Sequence, residues 1–183
     1  YLTGSSITQS RLGLVMNGLI KIPMQFFILL IGVLVFAFYQ FNDAPVFFNK
    51  VEANRIENSE YKNEYHELTQ QYANAHQEKQ KELHVLVEAI HSKDENAINI
   101  AGLKVKEADQ KTIAIRNEVT KLMEKNNPKA DTNDRNYIFL TFVTQQLPVG
   151  IVGLLIAIIF LASMGSTASG LNSLASTTVV DIY

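Results

Sequence analysis

Hydrophobic and polar positions separate into three blocks along this chain. Residues 12–41 form an almost unbroken apolar run whose one charged residue is Lys21. Residues 147–180 form a second run with no charge at all. Of the chain's 16 basic and 18 acidic residues, 14 and 16 fall between these runs, in residues 50–135. Each apolar run predicts a helix long enough to cross a bilayer. A helix over residues 11–41 would be about 45 Å long, against roughly 30 Å of hydrocarbon. Ser6 or Ser10 is available to cap its start. Pro23 lies inside it and predicts a kink or a freed carbonyl. Phe38, Tyr39 and Phe41 give it an aromatic end suited to the membrane–water interface.

The period changes after a connection at 42–49. Tyr61, Tyr65, Leu68, Tyr72, Ala75, Lys79, Leu83, Leu86 and Ile90 are spaced by threes and fours, and so are Ala101, Val105, Ala108, Thr112, Ile115, Val119 and Leu122. Both are heptad-like seams on otherwise charged helices. With Ser92-Lys-Asp-Glu-Asn96 as a turn, residues 50–135 predict an antiparallel helical hairpin, ended by Asn126 to Asp134. Residues 136–146 suit a short amphipathic helix at the interface. Pro148 then opens the second span, where its missing N–H is not needed. The expected fold is therefore all-α: a loop at 1–10, a transmembrane helix at 11–41, the charged insert, and a transmembrane helix at 147–181.

The second span is unusual in composition. From Ala162 to Thr178 it is crowded with Ser, Thr, Asn and Gly. Polar groups at membrane depth cost free energy unless they face protein, water or an ion. Small residues also mediate close helix packing, the plain role for Gly150, Gly153 and Ala157. Lys21 is costly at mid-span and marks a functional position, a snorkelling side chain or a structural hydrogen bond to a neighbouring helix.

Other classes are disfavoured by composition. The insert's charges balance and form no Lys/Arg cluster, so nucleic acid is not an expected partner. No cysteine is present, which excludes a disulfide framework. The first apolar run is too long for a signal-peptide core. His66, His76, His84 and His91 all fall in the insert without zinc-ligand spacing, and read as solvated. No nucleophile elbow, phosphate loop or carboxylate pair appears, so an enzyme is not expected. The start at Tyr1 and the end at Tyr183 read as those of an internal fragment. Arg11 favours a cytoplasmic side for the outer ends, placing the insert outside the cell membrane.

Two stretches resemble the sodium:solute symporter family. Tyr1-Leu-Thr-Gly-Ser-Ser-Ile7, Arg11 and Asn17-Gly-Leu-Ile-Lys-Ile-Pro23 are similar to its seventh core helix and the preceding loop. Leu147-Pro-Val-Gly-Ile-Val-Gly-Leu-Leu-Ile-Ala157, Ser166, Ser169, Asn172-Ser173, Thr177 and Asp181-Ile-Tyr183 are similar to its eighth. The resemblance covers about residues 1–45 and 137–183; the insert stands where the family has a shorter external loop. It implies an inverted-repeat transporter in the inner membrane, coupling uptake of a small-molecule solute to co-transported sodium. It also implies a sodium site using the carbonyl at Ala162 and hydroxyls at the positions of Gly165 and Ser166, completed by the family's first core helix, which this chain lacks. Gly165 departs from that pattern by removing a hydroxyl, for which Ser169, Ser163 or water would substitute. Ala168 leaves a second sodium site short of an oxygen. Lys21 matches a position that contacts substrate in sugar-carrying members. The rival expectation is a sensor module of span, hairpin and span. A docking role for the insert toward another membrane or extracytoplasmic protein is compatible with the symporter expectation.

Overall fold

A computed structural model of the chain describes residues 7–181, so residues 1–6 of the loop expected at 1–10, with Ser6, and the terminal Ile182 and Tyr183 lie outside the described residues. The described residues are all helical or connecting. Six helices follow one another: α1 (Ile7–Phe41), α2 (Lys50–Glu57), α3 (Lys62–Ser92), α4 (Glu95–Asn126), α5 (Arg135–Gln146) and α6 (Val149–Asp181). The chain divides into two units, one ending at Tyr137 and the other beginning at Ile138.

In the first unit, α1 begins a turn earlier than the sequence pattern indicated, so position 10 falls within the helix. Pro23 is accommodated inside α1. A proline there has no N–H to give the carbonyl of Leu19, four residues back. From Ile7 to Leu34 the described side chains are almost all exposed.

Helix α2 has a clear local cause. Asn49 accepts from the backbone N–H groups of Val51 and Glu52 through its side-chain oxygen, satisfying two orphan donors. Helices α3 and α4 are joined by Lys93 and Asp94. Lys93 takes the left-handed conformation, φ 56°, that closes α3. Asp94 caps α4 by accepting from Asn96 and Ala97 N–H. The two helices run antiparallel, since Lys79 meets Asp109 at 2.7 Å while Lys111 meets Glu78 at 3.0 Å. Further along, Lys125 lies over the Tyr61 ring at 4.8 Å.

The core of this unit lies at the α2 end of the pair. Tyr65, Leu68 and Tyr72 of α3 and Val119, Leu122 and Met123 of α4 enclose Ile56 of α2 and Val46 and Phe47 of the connection. Ile56 is fully buried. Burial of a side chain of that size contributes about 2 kcal/mol. The segment 46–49 is thus core and not an exposed tether. Along the seam, Ala75, Lys79, Ala101, Ala108 and Thr112 are buried as well, but Ile90 is exposed.

In the second unit, Leu147 and Pro148 separate α5 from α6. The Pro148 carbonyl accepts from the N–H groups of Ile151 and Val152 at 2.9 and 3.1 Å, so Pro148 stands at the cap of α6. Helix α6 then continues unbroken to Asp181, with almost all of its described apolar side chains exposed.

Candidate functional site

An α-helix places residues i, i+3, i+4 and i+7 on one face. The unbroken α6 therefore brings Ala162, Gly165, Ser166 and Ser169 into one stripe. The polar residues of α6 are not equivalent. Thr167 donates its hydroxyl to the Ser163 carbonyl at 2.9 Å, and Thr178 donates to the Leu174 carbonyl at 2.9 Å. Those two hydroxyls are absorbed by the helix itself. No such intrahelical bond engages Ser166 or Ser169 among the described hydrogen bonds. Both residues are exposed, and a serine oxygen carries lone pairs that a hard cation can use. The Ala162 carbonyl belongs to the helical ladder, and its second lone pair remains open to a ligand.

Gly165 leaves a gap in this stripe. A Cβ built at Gly165 would meet no atom within 4 Å, so nothing among the described residues requires glycine there for packing. The same holds for Gly150 and Gly153, whose expected partners are other helices.

Lys21 lies on α1, in the first unit, with its side chain exposed. None of the ion pairs among the described residues includes it. Two residues later comes Pro23, so the lysine sits beside a residue that gives no N–H to the α1 hydrogen-bond ladder.

The insert contains no group of three or more His, Asp or Glu arranged to hold a metal among the described residues. His66, His84 and His91 are exposed, in line with their solvated reading. His76 is not: it is 5% exposed, stacked on Tyr72 at 5.7 Å, with Nε2 3.0 Å from the Asn42 carbonyl. Here the contact to Asn42 and the Tyr72 ring overrides the polar surroundings. A second buried polar group, Asp134, accepts from the Phe48 N–H at 2.9 Å and from Arg116 at 2.8 Å. Sequence pattern marked neither, because the partners lie 34 and 86 residues away.

Burial pushes the phenols of Tyr65 and Tyr72 above their ordinary range. Glu57 adds to the effect at Tyr65, and Arg116 partly offsets it at Tyr72.

Helices α1 and α6 are each long and apolar enough to cross a bilayer, and almost none of their apolar length is buried. A core helix of a soluble protein would be covered on most sides. Among the described residues the chain is all-helical, with two candidate membrane-spanning helices whose apolar surfaces are left uncovered. Over 42 residues the chain is 52% identical to the sodium/sialic acid symporter NanT of Aliivibrio fischeri, a stretch amounting to 23% of this chain. The match spans about 8% of the length of that curated relative. No family profile matches the chain, and no solved structure does.

Proposed function

We propose that this chain is part of a sodium-coupled secondary transporter that carries a small organic solute by alternating access. In this reading α1 and α6 are core helices seven and eight, and α2–α4 form an extracytoplasmic helical hairpin between them. The observation that carries it is the stripe Ala162, Gly165, Ser166 and Ser169 on an apolar helix, with serine hydroxyls not absorbed by the helix. A half-site of carbonyl and hydroxyl oxygens suits sodium, and other helices of the parent protein supply the remaining ligands. The 42-residue similarity to a sodium/sialic acid symporter supports the same reading. Lys21 is the substrate-contacting residue on α1. Its ammonium fits an acidic solute such as the one in that relative's name.

The test is uptake by the full-length protein in proteoliposomes with and without a sodium gradient. Uptake requires sodium, and Ser166→Ala raises the sodium concentration needed for half-maximal rate. An unchanged sodium dependence in Ser166→Ala would remove that residue from the site. A span–hairpin–span arrangement also serves sensors. A parent protein that shows no uptake, and whose α6 leads into a signalling helix, would favour that second reading.

A further inference from the structure

The segment between α1 and α2 has the length of a flexible tether, yet it behaves as core. Val46, Phe47, Phe48 and Asn49 are all buried. Contacts fix it on several sides. His76 of α3 holds the Asn42 carbonyl just beyond the end of α1, at 3.0 Å. Asn42 in turn donates its side-chain amide to the Phe38 carbonyl at 2.9 Å, closing the last turn of α1. Tyr39 of α1 packs edge-on against Phe48 at 5.1 Å, and Phe41 against His84 of α3 at 5.6 Å. Phe48 is pinned from the far side, with its N–H on Asp134 at 2.9 Å and the Arg116 guanidinium 5.7 Å over its ring.

We propose that α1 and the α2–α4 insert are a single rigid body, locked at His76–Asn42 and Asp134–Phe48, so that the insert follows every displacement of α1. The attachment is to the middle of α3, not to its end. Fourteen residues of α3 precede His76 and eight follow His84, giving arms of about 21 and 12 Å. A tilt of α1 therefore moves both ends of the insert in opposite directions. A tethered domain would average such a tilt away, because a flexible linker of eight residues samples roughly 16 Å. Close-packed contacts of this kind transmit a displacement and do not deform continuously, so the lock holds until it breaks. The rigidity depends only on the contacts above. Its consequence, an external element that reports the transport state of a core helix, rests on the function proposed here.

The experiment is pulsed electron–electron distance measurement on the full-length protein in lipid nanodiscs, with spin labels at Phe36→Cys on α1 and Lys106→Cys on α4. The expected result is one narrow distance distribution, identical with and without sodium. A broad distribution, or one that shifts with sodium, overturns the proposal. In the His76→Leu/Asp134→Ala background the distribution broadens; one as narrow as the parent's overturns the assignment of the lock to these two contacts. A narrow distribution in a protein that shows no sodium-dependent uptake leaves the rigid body standing and removes the symporter reading, so the two failures are told apart.

Discussion

Arg116 and Asp134 meet at 2.8 Å across the foot of the insert, and the same carboxylate accepts the Phe48 N–H. One acidic side chain thus ties α4, the segment after it and the segment before α2 into a single knot. Asp134 is buried, its side chain only 6% exposed, while Arg116 keeps 29%. Removing the cation leaves a buried carboxylate whose remaining partner is one amide. Arg116→Ala is therefore expected to destabilise the insert by about 2–3 kcal/mol, at the low end for a buried pair because Arg116 is part-exposed. Chemical denaturation of the detergent-solubilised chain followed by circular dichroism measures it. A change below about 0.5 kcal/mol, the range of an exposed pair, would show that the knot does not hold the foot together.

Lys79 and Asp109 make the opposite case. Lys79 occupies a seam position with 9% of its side chain exposed, while its partner Asp109 is 43% exposed. The lysine is costly to bury, and an unbranched apolar side chain fits the same channel. Lys79→Met is expected to change stability by less than about 1 kcal/mol, or to raise it. Asp109→Ala, which leaves the lysine buried and alone, is expected to cost more than Lys79→Met. The reverse order in a denaturant series would mean that the ion pair itself stabilises the seam.

Parts of this architecture were legible in the sequence for identifiable reasons. The apolar runs of α1 and α6 have no competing pattern, and their composition alone sets their type. On α3, Tyr65, Leu68, Tyr72 and Ala75 are buried at the spacing that singled them out. The seam then fails at Ile90. Ala89 is buried in its place, and the neighbouring residue is turned about 100° away on the helix. Helix α2 was missed because eight residues hold too little periodicity, although Asn49 followed three residues later by Glu52 is a capping signal. In the sequence, Val46, Phe47 and Phe48 have the look of a connection, since Asn42, Asp43 and Pro45 break the apolar pattern. Their partners, such as Asp134, are distant in sequence and leave no local trace. On α6, the stripe at Ala162, Gly165, Ser166 and Ser169 follows from helix periodicity, but which hydroxyls the helix itself consumes required coordinates.

The tyrosines of the core predict an alkaline transition. Burial raises the phenols of Tyr65 and Tyr72 above the usual value of 10.0. A raised folded-state value means the neutral phenol is preferred in the fold. That stability is complete below pH 10 and is lost as the pH rises through the folded-state value. Phenolate absorbance and far-ultraviolet circular dichroism, followed together from pH 8 to 12, are expected to show helix loss coupled to tyrosine ionisation. In the Tyr65→Phe/Tyr72→Phe variant the helix loss moves to higher pH. An unmoved transition would mean these two phenols do not drive it.

Gly165 offers the most direct test of the proposed ion stripe. Nothing lies within 4 Å of a Cβ added there, so a serine fits within this chain, and the family resemblance places a hydroxyl at that position. Gly165→Ser adds an oxygen beside Ser166 and is expected to lower the sodium concentration for half-maximal uptake by roughly tenfold. This corresponds to about 1.4 kcal/mol, the scale of one hydrogen-bond-strength contact to a charged group. Gly165→Ala is the control. It removes the same backbone freedom and stabilises the helix by up to about 1 kcal/mol, but supplies no ligand. If serine and alanine shift the sodium dependence equally, the effect is one of helix stiffness and Gly165 does not border the ion. If serine alone shifts it, the missing hydroxyl is what weakens sodium binding in this protein.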